Sequence, residues 1–175
     1  KYIKTKQKYF CLCRPRRFGK SVTAQMLCSY YSRGEDSSSQ FDSLKIAKSP
    51  SYKKHLNQYN VIFINMSLEF NSARHDVNQM ISSVTSSIVK ELKEAYPQVV
   101  FNSPDKLYEA LDDVFSVSKV PFVFIVDEWD RIMREKKEDA QSLKLYLEWL
   151  EGIFKDQSYI ALAYMSGILT IKKYG

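Results

Sequence analysis

The first twenty residues contain no acidic side chain, and no stretch of the chain is apolar for long. The second absence excludes a helical membrane span. Val120 to Val126 is a typical apolar run, far below the roughly 18 residues a spanning helix needs. The first is more telling. Residues 1–20 carry eight Lys and Arg (Lys1, Lys4, Lys6, Lys8, Arg14, Arg16, Arg17 and Lys20), leaving 18 basic against 20 acidic residues in the remainder of a chain of net charge +6. The positive excess is therefore local, which points to one anionic partner and not to a surface coated in charge. Cysteine is scarce and odd in number: Cys11, Cys13 and Cys28 do not make a disulfide framework. A metal site built from Cys11, Cys13 and His55 or His75 is the alternative. Cys-x-Cys lacks the usual zinc spacing and both residues fall in an apolar strand pattern, so buried thiols are expected. His55 and His75 lie in polar surroundings and are expected at the surface. No signal peptide and no initiating Met are present, which predicts a cytoplasmic protein of which this chain is a fragment.

What is present is enough apolar sequence for one core: 175 residues, 45% hydrophobic and 14% aromatic. Such a composition excludes disorder as the main state. Repeats are absent, and Ser37–Ser39 is the one low-complexity stretch. Short apolar runs alternate with helical periodicity. Strands are predicted at 9–13, 61–66, 122–126 and 159–165. A helix is predicted from Lys20 to about Tyr31, with Val22, Met26, Leu27 and Tyr30 near one face. Residues 32–60 read as an irregular excursion with one short helix, anchored by Phe41, Leu44 and Ile46. Val77, Met80, Ile81, Val84, Ile88 and Leu92 form a helical stripe ending before Pro97. A shorter helix is predicted to begin at Ser103-Pro104 and to carry Leu107, Leu111, Val114 and Phe115. Leu143, Tyr146, Leu147, Leu150 and Phe154 mark another. Apolar strands separated by helices predict an α/β protein with a parallel sheet covered on both faces.

Two motifs carry chemistry. Arg14-Pro15-Arg16-Arg17-Phe18-Gly19-Lys20-Ser21 follows the first strand and opens a helix, and its last three residues match the end of the phosphate-binding pattern G-x-x-x-x-G-K-[ST]. Gly19 lets backbone N–H groups curl toward a phosphate, Lys20 can reach β- and γ-phosphate oxygens, and the Ser21 hydroxyl can ligate Mg²⁺. Arg14 stands where the pattern has its first Gly, which is tolerable only if its backbone avoids a positive φ. Arg16 and Arg17 either add charge to the phosphates or remain solvated. The third strand ends in Asp127-Glu128. The first acid is suited to hold Mg²⁺ and the second to activate water. In open parallel sheets ligands bind beyond the carboxyl ends of the strands, where both motifs fall. Asp130 is expected to cap the next turn, while Trp129 and Trp149 are expected to pack.

These motifs, with Val126-Asp127-Glu128-Trp129-Asp130 and the segment from Tyr164-Met165-Ser166-Gly167-Ile168-Leu169 to Ile171-Lys172-Lys173-Tyr174-Gly175, resemble the predicted AAA-ATPase-like family over nearly the whole chain. Members share Arg at the position of Arg14. The resemblance implies one P-loop NTPase domain over residues 1–175, a three-layer α/β/α core with a mostly parallel sheet. It implies ATP and Mg²⁺ as cofactors, with Lys20, Ser21, Asp127 and Glu128 acting in binding and hydrolysis. It also implies that Ser166 senses the γ-phosphate; the family usually has Thr there, and Ser keeps the hydroxyl. Thr170 stands where members often have Pro. The chain stops inside this last motif, so a fifth strand, a lid and the nuclease-like domain often fused to such proteins fall outside it. Strand 9–13 is then expected to form an edge. The partner implied is a nucleotide. An oligomer would supply any arginine finger, and no membrane partner is expected. The other reading is a non-hydrolysing nucleotide-dependent switch or nucleic-acid adaptor, in which Lys1, Lys4, Lys6 and Lys8 with Tyr2 and Tyr9 meet nucleic-acid phosphates.

Overall fold

A computed structural model describes residues 8–15 and 17–169. Four strands, β1 (Tyr9–Cys13), β2 (Asn60–Asn65), β3 (Phe122–Asp127) and β4 (Ile160–Gly167), form a parallel sheet in the order β1-β4-β3-β2. The protein is α/β, as its alternation of apolar runs predicts. β3 is buried along its whole length, which explains why it reads as a continuous apolar run instead of an alternating one. β1 lies at an edge of the described sheet and pairs with β4 in parallel, Tyr9 opposite Ala163 and Cys13 opposite Gly167.

The chain divides into two compact units. Among the described residues the first comprises 8–64, 120–127 and 161–169. Helix α1 (Lys20–Tyr31) packs against β3. Its buried face is the predicted one only in part, at Leu27 and Tyr30. Ala24 is fully buried and Leu27, Cys28 and Tyr31 pack on the sheet cluster of Val123, Ile125, Leu162 and Tyr164, whereas Val22 and Met26 are 61% and 46% exposed. Tyr30 turns to a separate aromatic cluster with Phe41 and Tyr52. The excursion after α1 holds α2 (Ser38–Phe41), a 3-10 turn (Lys45–Lys48) and α3 (Tyr52–His55). Phe41 anchors it as predicted, but Leu44 and Ile46 are exposed and Tyr52 takes their place. His55 is buried, against expectation, because its Nδ1 lies 2.6 Å from the Tyr59 hydroxyl and its ring stacks on Tyr59. The neck of the excursion is closed by backbone bonds from Asn57 to Tyr30, Tyr59 to Tyr31 and Arg33 to Tyr59. The three cysteines are half-buried, not buried, and none is in a disulfide.

The second unit comprises residues 65–119 and 128–160. It contains α4 (Met66–Ser72), α5 (Val77–Ala95), α6 (Leu107–Ser118), α7 (Arg131–Glu135) and α8 (Ala140–Phe154). Met66 opens a helix instead of ending a strand, because the Asn65 side chain accepts the Leu68 N–H and so caps α4. Val77, Met80, Val84 and Leu92 are buried on α5 as the stripe predicts, with Val89 buried more deeply than Ile81 or Ile88. α6 begins at Leu107 and not at Pro104, since Lys106 N–H bonds Ser103 C=O and closes a turn first. On α8, Tyr146, Leu150 and Ile153 are buried while Leu147 is 45% exposed. The Tyr146 hydroxyl donates to the Trp129 carbonyl at 2.6 Å, which satisfies the one polar atom of a fully buried ring. No described helix is long and apolar enough to cross a membrane.

Burial of these hydroxyls and thiols sets the alkaline limit of the fold. It pushes Cys28 from 9.0 to about 11 and, with Tyr30 and Tyr59 nearby, Tyr31 from 10.0 to about 12. Tyr30, Tyr59, Tyr146 and Tyr164 move up for the same first reason. A raised folded pKa means that the folded state keeps a proton the unfolded chain has already released, so stability falls as pH rises through that window. Stability is expected to be flat up to about pH 9 and to decline to about pH 12, tracked by circular dichroism beside tyrosinate absorbance. Tyrosinate appearing in full while the fold persists would contradict this.

Candidate functional site

Among the described residues of the loop between β1 and α1, Arg17 (φ 66°) and Gly19 (φ 70°) are left-handed. Arg14 is not one of them, so Arg in place of the pattern's first glycine carries no backbone strain. Its N–H instead extends the sheet, bonding the Gly167 carbonyl at 3.1 Å. Gly19 is the N-cap of α1 and brings no side-chain cap, and the first turn has no acid. Every other described helix of seven or more residues has a capping side chain or a first-turn acid: Asn65 on α4, Asp76 on α5, Glu109 on α6, Asp139 on α8. α1 therefore presents its N-terminal N–H groups and positive dipole end with neither a side-chain cap nor an acid of its own first turn.

Lys20 is the first residue of α1 and is buried to 8% exposure. Its ammonium donates to the carbonyls of Arg14 and Pro15 at 2.9 and 2.8 Å. A buried ammonium needs such acceptors, and here they are the first two residues of the loop, so the side chain straps the loop from inside. Ser21 donates its hydroxyl to Asp127 Oδ2 at 2.6 Å. Asp127, 1% exposed at the end of β3, receives the Ser166 hydroxyl on Oδ1. Each carboxylate oxygen thus has one hydroxyl, from the start of α1 and from the end of β4. Ser166 is fully buried and its contact is with the carboxylate, which fixes the rotamer of Asp127. Tyr164, buried on the same strand, has its hydroxyl pushed up by burial and then by the Asp127 charge.

The structure brings Lys20, Ser21, Asp127 and Ser166 together. Arg17 and Phe18 are exposed on the loop, Phe18 at 68%. Arg16 lies outside the described residues, as do Lys1, Lys4 and Lys6. Glu128 belongs to the second unit. Its backbone is left-handed (φ 54°) and its side chain accepts a hydrogen bond from the Ser67 hydroxyl of α4. Ser67 escapes sequence reading, since no motif marks it. Asp130 occupies the N-cap position of α7 but makes no cap. It is fully buried, with Oδ2 3.4 Å from Arg134 Nε, and an ion pair one turn along replaces the expected cap. Trp129 is 7% exposed and packs as expected.

Asp127 and Ser21 offer one carboxylate and one hydroxyl, both hard oxygen donors. No group of three or more His, Cys, Asp or Glu is gathered among the described residues. That set fits Mg²⁺, which takes one or two protein oxygens and completes its shell with water and phosphate. All 175 residues match a family model described as Predicted AAA-ATPase. The chain belongs to this AAA-ATPase-like family. Membership supports a general ATPase-like, nucleotide-binding role and a P-loop NTPase class. Neither the curated proteins nor the solved structures give a match.

Proposed function

We propose that this chain binds ATP at the loop 14–21 and hydrolyses it with Mg²⁺. The observation that carries the reading is the uncapped, acid-free start of α1, with Lys20 and the Ser21–Asp127 pair beside it. The N–H groups after Gly19 and the Lys20 ammonium bind phosphate oxygens, with Arg17 adding charge from the exposed side of the loop. On binding, the Lys20 ammonium exchanges the Arg14 and Pro15 carbonyls for phosphate oxygens. Ser21 and Asp127 would hold Mg²⁺, which supplies charge neutralisation on the phosphate oxygens when bound. Ser166 orients Asp127, so the end of β4 registers an occupied site through that carboxylate. Glu128 takes the proton of the attacking water, and Ser67 holds its carboxylate by one oxygen. Phosphoryl transfer asks for positioning and charge stabilisation more than covalent help, and this inventory is of that kind.

Titration with a fluorescent ATP analogue, with and without Mg²⁺, together with measurement of released phosphate, tests the proposal. Saturable binding strengthened by Mg²⁺ and competed by unlabelled ATP is expected. No saturation by about 1 mM nucleotide would overturn it.

A further inference from the structure

Cys11 and Cys13 have no part in the nucleotide reading. Two residues apart on β1, they share a face of the strand, and their sulfurs are 3.6 Å apart. The Cys13 thiol also donates to the Leu169 carbonyl at 2.9 Å. With no third ligand gathered among the described residues, the pair does not make a closed metal site. We propose that Cys11 and Cys13 form a redox pair, bridged by a hydroperoxide and reopened by thiols, whose disulfide loosens the loop that holds Lys20.

Distance decides that the bridge is feasible but strained. A strand rises about 3.3 Å per residue, so the two Cα atoms are about 6.6 Å apart, just inside the roughly 6.8 Å limit for a disulfide. Bridging draws the sulfurs from 3.6 Å to about 2.0 Å, and β1 must buckle to allow it. Among the described strands β1 has only β4 beside it, so the buckling breaks bonds on one side only. Strained disulfides are the readily reduced, regulatory kind.

The chemistry balances with the peroxide alone. One thiolate sulfur attacks the peroxide, an S–O bond forms, the O–O bond breaks and an alcohol or water leaves with the thiol proton. The second sulfur then attacks the sulfenic sulfur, the S–S bond forms, the S–O bond breaks and water leaves with the second proton. Cys28 is a poor competitor, because burial holds its thiol up at about 11 and keeps thiolate scarce at neutral pH.

Coupling to the loop follows from adjacency. Cys13 precedes Arg14, whose N–H is bonded to Gly167 and whose carbonyl receives the Lys20 ammonium. A buckled Cys13 displaces both. This switching half rests on the proposed nucleotide site; the pairing half does not.

The test treats the full chain with hydrogen peroxide, alkylates the remaining thiols and weighs the peptides. Affinity for the fluorescent ATP analogue is measured before oxidation, after it and after dithiothreitol. The peptide spanning 11–13 is expected to lose two hydrogens while Cys28 is alkylated. Affinity is expected to fall about tenfold, the worth of one displaced loop N–H bond to a phosphate oxygen, and to recover with reductant. Cys11→Ser should keep its affinity after peroxide, and Cys28→Ser should respond as the unaltered chain does. Sulfinic acid without a bridge, or a bridge to Cys28, would overturn the pairing. A bridge that leaves affinity unchanged would overturn the switch. If the reduced chain binds no nucleotide, the proposed function fails, and the peptide masses alone decide the pairing.

Discussion

Glu128→Gln is expected to bind ATP as the unaltered protein does while its turnover drops by about a hundredfold to ten-thousandfold, the usual contribution of a general base. The replacement keeps the size of the side chain and an oxygen that can accept the Ser67 hydroxyl, so the contact within the second unit survives. It removes the negative charge and the ability to take a proton. The left-handed backbone at this position (φ 54°) is unaffected by exchanging the side chain, so thermal stability should change by less than about 0.5 kcal/mol. Single-turnover phosphate release beside equilibrium nucleotide binding separates the two quantities. Turnover equal to that of the unaltered chain would remove Glu128 from the chemistry.

Lys20→Ala should weaken nucleotide binding by roughly a hundredfold and leave the fold nearly intact. Hydrogen bonds to a charged group contribute about 1.5–3 kcal/mol each, so losing the ammonium weakens phosphate binding by roughly a hundredfold. Two terms oppose each other in the empty protein. The Arg14 and Pro15 carbonyls lose their donor, which costs stability, but a largely buried charge no longer has to be desolvated. Both carbonyls belong to exposed residues that water can reach, so the net change should stay within about 1 kcal/mol. Thermal unfolding with and without ATP reads both effects, because a ligand raises stability only where it binds. A shift with ATP that persists in Lys20→Ala would place the phosphates elsewhere.

The parts of the site legible in the sequence are those whose chemistry is local. Gly19-Lys20-Ser21 lies between a strand and a helix, and its glycine takes the left-handed turn the pattern demands. Asp127 could be recognised because it ends a strand apolar on every side, and only a functional or paired carboxylate remains at such a position. The face of α1 was only partly legible. Of Val22, Met26, Leu27 and Tyr30, Leu27 meets the sheet and Tyr30 is buried, but Val22 and Met26 are exposed, because the side that meets the sheet also carries Ala24 and Cys28, small residues that give a weak hydrophobic signal. His55 looked solvated among lysines because its partner Tyr59 reaches it only once α3 has ended. Ser67 could be found only from strand order. β2 and β3 are neighbours, and Ser67 and Glu128 stand just after their ends, so a contact within the second unit depends on a pairing between residues sixty positions apart.

The closed neck of residues 32–60 makes the length of the excursion nearly independent of the strand and helix that flank it. Asn57, left-handed at φ 54°, gathers Ser29, Ser32 and Ser37 on its side chain while its N–H holds Tyr30. Both ends of the excursion are therefore clasped at one point beside the start of β2. Residues between Phe41 and Tyr52 can be added or removed at a loop-closure cost that grows only slowly with length, as long as both rings stay to pack on Tyr30 of α1.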